Sequence, residues 1–226
     1  MIIISICGIV LIGGSLAYIY SPRPISTQER SSYIPYMMKE DFGKNGSRFD
    51  YVQVDYTKYL DPVNSTIGVT AMGPHKFNDC SIIYQSKRSN KMLWYDENIT
   101  NRGEGFSEDP TMVLNSTNRL IFECTNPSYS IAWPYMEFDG IPSSENTVSV
   151  KGKLESQSNI TLTIYSCVIL KCETENRHLI AESNMTTMKD GGFTYSFTIP
   201  QTNDNLLYTI VQLGTKEYML GSRIGQ

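Results

Sequence analysis

The chain has 226 residues, 40% of them hydrophobic, a formal net charge of −4 and only two histidines. The mildly acidic balance and the lack of a basic run argue against nucleic acid as a partner, and the absence of a repeat excludes collagen-like and low-complexity proteins. Two histidines leave little room for metal or acid–base chemistry. We therefore predict no enzymatic activity, no catalytic or metal-binding residues and no cofactor.

An uncharged stretch opens the chain: residues 2–20 carry no charged side chain, and the first one is Arg23. Residues 2–12 are typical of the apolar core of a secretory signal, with small residues at Ser15 and Ala17 for cleavage. The same stretch is also long enough for a retained helix to cross a hydrocarbon core of roughly 30 Å. Residues 1–22 are therefore predicted to be a signal peptide or a signal anchor, and both alternatives place the rest of the chain outside the cytoplasm.

Residues 23–48 are rich in proline, serine and charge. This composition is typical of an extended linker. We predict a stalk between the hydrophobic segment and the first folded unit.

A period of two, which indicates β-strands, follows the predicted stalk. The alternating or short apolar segments lie at residues 49–56, 67–71, 81–84, 92–95, 112–114, 120–124, 148–154, 160–165, 179–182, 193–199, 206–213 and 218–224. No window past residue 40 keeps the spacing of an amphipathic helix over three turns.

The fold class predicted from this pattern is all-β, with two antiparallel β-sandwich modules after an N-terminal hydrophobic helix. Small residues at 140–144 suggest a linker, so the modules would span residues 49–140 and 145–226. A single larger sandwich is the alternative.

Four cysteines remain once Cys7 is assigned to the hydrophobic segment: Cys80, Cys124, Cys167 and Cys172. An even number in an exported chain predicts two disulfides, for which three connectivities exist. Local pairing, Cys80–Cys124 and Cys167–Cys172, is the simplest. The last two cysteines and His178 also have a spacing that zinc tolerates, but thiols of exported proteins are usually oxidised.

Six asparagines stand in N-x-S/T sequons without an intervening proline, which predicts N-glycosylation sites on an exported chain. They are Asn45, Asn64, Asn98, Asn115, Asn159 and Asn184. Unmodified surface asparagine is the alternative at each position.

Two motifs resemble immunoglobulin-like modules. Trp94 lies between Cys80 and Cys124 in the chain, within Met92-Leu93-Trp94-Tyr95. This arrangement resembles the two cysteines and the third strand of an immunoglobulin-like domain. In that family a tryptophan packs on a disulfide that joins the two sheets. Residues 190–200, DGGFTYSFTIP, resemble the turn and strand of transthyretin-like modules. Both resemblances imply a sandwich and no particular ligand.

Three groups of side chains are candidates for chemistry or contact. Acidic residues cluster at Asp96, Glu97, Glu104, Glu108 and Asp109, where a calcium site or a glycosidase carboxylate pair is the alternative to a solvated loop. Both histidines, His75 and His178, lie in polar contexts typical of surface residues.

A dense aromatic patch precedes the predicted linker: Tyr129, Trp133, Tyr135 and Phe138. It fits core packing or a flat contact for a sugar or protein loop. Trp133 and Tyr135 are the predicted ligand contacts.

The function expected from these observations is non-enzymatic: a cell-surface binding or structural protein that presents β-sandwich modules. Its partners would be the membrane, through the N-terminal segment, and an unidentified extracellular protein or glycan. The alternative is a secreted carbohydrate-active enzyme or carbohydrate-binding accessory protein.

Overall fold

The computed structural model describes residues 33–43, 50–60, 63–99, 104–108, 114–115, 117–168, 172 and 176–225. The predicted hydrophobic helix lies outside these residues. The strands are β1 (Tyr33–Asp41), β2 (Tyr51–Leu60), β3 (Val63–Met72), β4 (Phe77–Gln85), β5 (Asn90–Ile99), β6 (Glu104–Glu108), β7 (Arg119–Asn126), β8 (Tyr129–Ala132), β9 (Tyr135–Asp139), β10 (Thr147–Lys153), β11 (Asn159–Cys167), β12 (His178–Thr186), β13 (Gly192–Thr198), β14 (Leu206–Leu213) and β15 (Lys216–Arg223).

These strands form three antiparallel sheets, which confirms the all-β prediction. The large sheet has eight strands in the order β12-β11-β14-β15-β1-β2-β3-β6. A four-stranded sheet has the order β5-β4-β7-β8, and a three-stranded sheet has the order β13-β10-β9. Among the described residues no helix is long and apolar enough to span a membrane.

The large sheet runs without a break from the first half of the chain to the second, because β1 pairs with both β2 and β15. Tyr36 of β1 lies opposite Tyr56 on one side and Leu220 on the other. The predicted linker at 140–144 connects two neighbouring strands of the three-stranded sheet, since β9 before it pairs with β10 after it. The paired strands thus cross the boundary predicted between two separate modules.

The stalk prediction is wrong for the residues of β1. Met38 of β1 is buried in the core, and the adjacent Met37, which points to the other face, is also buried. Pro35 obscured this strand, since proline has no N–H for a ladder and normally indicates an edge strand. Here Pro35 lies beside Gly221 of β15, where a side chain would collide with the proline ring.

Alternate residues of all three sheets meet in one hydrophobic core. The buried side chains include Val52, Val54, Ile67, Val69, Phe77, Ile82, Leu120, Phe122, Val148, Val150, Ile160, Leu162, Ile164, Phe193, Phe197, Leu207 and Val211. Their period of two is the pattern that the sequence showed.

The opposite face of the large sheet carries a smaller apolar cluster of Cys167, Leu206 and Tyr208. Tyr165 stacks on Tyr208 with ring centroids 5.4 Å apart, and the Arg177 guanidinium lies within 5.9 Å of both rings. Cys167 and Tyr208 therefore pack together on this face, next to the Cys167–Cys172 disulfide.

Both predicted disulfides are present, Cys80–Cys124 and Cys167–Cys172. The first differs from the bridge of immunoglobulin-like domains, because Cys80 and Cys124 are directly opposite each other on neighbouring strands of one sheet. It therefore clamps β4 to β7 instead of joining two sheets.

Candidate contact surface on the four-stranded sheet

A row of polar side chains crosses the outer face of the four-stranded sheet. Tyr95 of β5 lies opposite Ser81 of β4, which lies opposite Glu123 of β7, which lies opposite Ser130 of β8. Directly paired residues project from the same face, so these four side chains form one line across all four strands. Ser81 directly follows Cys80, and Glu123 directly precedes Cys124. The Cys80–Cys124 disulfide therefore holds these two polar residues together.

An apolar row runs beside the polar one. Met92, Ile83, Ile121 and Ala132 are cross-strand neighbours in the order β5-β4-β7-β8. A bulge in the pairing after Ile82 shifts the register of β5 by one residue. Met92 is 62% exposed, so a large flexible apolar side chain borders the polar row.

Asp79 stands at the other border and has an unusual backbone. Its φ is 50°, a left-handed conformation that aspartate and asparagine adopt more readily than most residues. One carboxylate oxygen accepts a hydrogen bond from the Tyr95 hydroxyl at 3.0 Å, and the other accepts one from the Thr125 hydroxyl at 3.2 Å. The bond to Asp79 raises the pKa of Tyr95 and keeps its hydroxyl protonated and oriented.

These residues surround a hollow of about 610 Å³ lined by Asp79, Ser81, Met92, Tyr95, Glu123, Cys124, Thr125, Ser128, Tyr129 and Ser130. Ser81 is small and only 7% exposed, so it forms the floor between Tyr95 and Glu123. Within the described part of the chain its hydroxyl has no hydrogen-bond partner. Tyr95, in contrast, is 51% exposed and forms one wall.

Trp133, a predicted ligand contact, is in the core, which corrects that prediction. It is 3% exposed and its ring meets Tyr36 edge-on with centroids 5.5 Å apart. Tyr135 is half-buried on β9, and a hydrogen bond to Glu137 raises its pKa. Trp133 therefore contributes to packing between sheets, as its apolar area favours.

The predicted acidic cluster is divided between two sheets. Asp96 and Glu97 lie on β5 of the four-stranded sheet, whereas Glu104 and Glu108 lie on β6 at an edge of the large sheet. Asp109 lies outside the described residues. The loop expected here is largely strand, and no group of three or more candidate metal ligands occurs in the described ranges.

Each histidine contacts an aspartate through Nδ1: His75 with Asp50 at 2.7 Å and His178 with Asp204 at 2.8 Å. The Ser166 hydroxyl also donates to Asp204, at 2.5 Å. Burial alone would raise the pKa of Asp204, but the hydrogen bonds to its carboxylate lower it overall. Because the carboxylate lies between serine and histidine, the histidine is not placed to take the serine proton, as nucleophilic catalysis requires.

Two of the sequons lie side by side on β11 and β12. The Thr186 hydroxyl donates to Asn159 Oδ1 at 2.9 Å, and the Thr161 hydroxyl donates to Asn184 Oδ1 at 2.8 Å. Both asparagines are exposed, so their amide nitrogens are accessible to modification.

Of the four remaining sequon asparagines, Asn115 has a described side chain. Asn115 is half-buried and accepts backbone hydrogen bonds from Thr117 and Asn118. Asn45 and the side chains of Asn64 and Asn98 lie outside the description.

The sequence did not single out Asp79, Ser81 or Glu123. The available signal was a pair of predicted strands joined by a predicted disulfide, with polar residues next to each cysteine. A scan against protein-family models finds no match, and no curated protein is significantly similar to the chain.

Proposed function

We propose that this protein is a non-enzymatic binding protein of an extracytoplasmic compartment, and that the outer face of its four-stranded sheet is the contact surface. The two disulfides support this location, because such bonds persist in oxidising compartments. The N-terminal segment would attach the protein to a membrane or be cleaved on secretion. The two smaller sheets would each cover one half of the large sheet, giving two linked sandwiches.

The observation that carries the proposal is the hollow itself. It combines a serine at its floor that has no partner among the described residues, an exposed tyrosine and an exposed methionine on a sheet clamped by a disulfide. Tyrosine offers a large contact area at low entropic cost, and methionine adapts to irregular partners. A rigid platform with these side chains binds a partner without reorganising, which lowers the entropy lost on association.

Carbohydrate binding is the second candidate function, and one contact favours it. The exposed Tyr95 ring stands beside the Asp79 carboxylate. An aromatic face and a carboxylate acceptor can together bind the apolar face and the hydroxyls of a sugar. The partner would then be a glycan, with no reaction involved.

A glycan placed on the proposed surface tests the function. Glu123→Asn converts residues 123–125 into an N-x-T sequon at the centre of the polar row. Glu145→Asn does the same for residues 145–147, at a turn before β10 where Glu145 has a φ of 66° that asparagine tolerates. Both variants replace an exposed acidic residue and add one glycan, so the second is a matched control.

The full chain, expressed in a eukaryotic secretory host, would be titrated onto the surface of cells from its source, with bound protein measured by flow cytometry. We expect saturable binding that Glu123→Asn abolishes and Glu145→Asn retains. Mass spectrometry must show the additional glycan on both. Equal binding by the two glycosylated variants, or no saturable binding by the unmodified protein, would refute the proposed surface.

A further inference from the structure

We propose that the hollow on the four-stranded sheet binds a cationic side chain of a protein partner, preferentially the guanidinium of an arginine. This inference rests on the proposed function and specifies the chemistry of the partner. It depends on three features of the hollow: its charge, its unused hydrogen-bonding groups and its apolar walls.

The charged side chains described in the lining of the hollow are all negative. Among the described residues that line it, Asp79 and Glu123 are the carboxylates, and none is a lysine, arginine or histidine. Glu123 forms no ion pair within the described ranges. The nearest arginine on the same strand, Arg119, is four residues from Glu123, or about 13 Å along β7, and its Nε donates to Gln85 at 2.8 Å. Within the described residues, neither carboxylate is therefore paired with a cation.

The hydrogen-bonding groups also favour a donor-rich ligand. Each oxygen of Asp79 accepts one bond from the protein, and a carboxylate oxygen has a second lone pair to offer. The Ser81 hydroxyl at the floor has no partner among the described residues, and it can accept an N–H. An arginine side chain presents five N–H donors in a fixed plane and no acceptor, so it can satisfy these groups together.

The aromatic and apolar side chains that form the walls of the hollow favour arginine over a small inorganic cation. Tyr95 presents an exposed aromatic ring, and Met92 an exposed thioether chain. A guanidinium stacks on aromatic faces and its aliphatic stem packs on apolar groups. A calcium ion instead requires six to eight oxygen ligands, and two separated carboxylates and a hydroxyl do not supply them.

Methyl NMR of the full chain, labelled with ¹³C at the methionine methyl groups and purified in mild detergent, tests the inference. Nα-acetyl-arginine methylamide is the probe, and the citrulline analogue, which has the same shape without the charge, is the control. Met92→Leu identifies the resonance of Met92, and the other methionines serve as internal references. We expect a saturable shift of the Met92 methyl with the arginine probe and none with citrulline.

Two variants and a control define the contribution of charge. Asp79→Asn keeps a residue that tolerates the left-handed backbone, and Glu123→Gln keeps the side-chain shape. Each is expected to weaken binding of the arginine probe about threefold to fivefold, as for an exposed ion pair. Glu182→Gln, on β12 of the large sheet, is expected to leave it unchanged. A rise in salt should weaken binding to the unmodified protein.

The inference fails if arginine and citrulline shift the Met92 methyl equally, or if neither Asp79→Asn nor Glu123→Gln weakens binding. A response to N-acetylglucosamine or galactose without one to arginine would replace it with carbohydrate recognition. Each of these outcomes contradicts arginine recognition alone. The proposed contact surface is still supported if the glycan at residue 123 blocks cell binding. Normal cell binding by that variant would refute the surface itself.

Discussion

The continuity of the large sheet through β1 and β15 predicts that Gly221→Ala destabilises the whole protein. A Cβ at this position would lie 2.6 Å from Pro35 Cδ, 2.8 Å from the Pro35 carbonyl oxygen and 2.9 Å from Pro35 Cγ. Since carbon atoms pack at about 3.5–4.0 Å, β1 and β15 must separate by nearly 1 Å. Overpacking of this kind costs about 1–3 kcal/mol.

Gly225→Ala is the matched control, because its Cβ would meet only the Pro142 carbonyl oxygen at 3.6 Å. Thermal and guanidinium unfolding should show a fall in Tm of roughly 2–10 °C for Gly221→Ala and little change for Gly225→Ala. Adding Pro35→Ala removes the two ring contacts but leaves the carbonyl, so partial recovery is expected in a double-mutant cycle. Equal stability of the two glycine variants, or no coupling to Pro35, would show that β1 does not lie against β15 as described.

Three further changes have defined outcomes. Replacing Cys80 and Cys124 by alanine opens a bridge of sequence separation 44 and should lower the free energy of unfolding by about 4 kcal/mol; loss of the shorter bridge should lower it less in the same denaturant titration. Burial raises the pKa of Glu217, so its ionised form disfavours folding; Glu217→Gln should raise the unfolding midpoint at pH 7, and that gain should disappear below the pKa of the unfolded chain. The lowered pKa of Asp204 has the opposite effect on stability. Its ionised carboxylate stabilises the folded protein above the unfolded pKa of about 3.9, and this stabilisation is lost as the pH falls through the folded pKa. Asp204→Asn should therefore destabilise at pH 7 by about 1–3 kcal/mol and far less at pH 3, measured by denaturation at both pH values.

Strand content and disulfide pairing could be predicted because each follows from local information. A period of two in short apolar runs reports one buried face, and local pairing of four cysteines gave Cys80–Cys124 and Cys167–Cys172, as found. Which strands share a sheet is decided by distant pairings instead. Nothing local to Tyr36 indicates Leu220 as a neighbour, so the sequence did not predict that one sheet runs through both halves of the chain or that β1 belongs to it.

The proposed contact surface could not be predicted from the sequence for the same reason. Ser81, Tyr95 and Glu123 become neighbours only through the registers of β5, β4 and β7, and each is unremarkable in sequence. The aromatic patch at Trp133 was conspicuous in sequence, yet a large apolar ring has more to gain from burial than from exposure. A dense group of aromatic residues in the sequence therefore indicated the core. The polar residues of the proposed surface are brought together only by the pairing registers of their strands.

The pairing of β1 with β15 has a consequence for synthesis. At 5–20 residues per second, the ribosome finishes β15 roughly 10–40 s after β1. During that interval the backbone N–H and C=O groups on one edge of β1 have no strand to pair with, although β2 can already form on the other edge. The nascent chain thus exposes an unpaired edge, which invites association with other chains, and we expect its maturation to depend on chaperones until the last strand arrives.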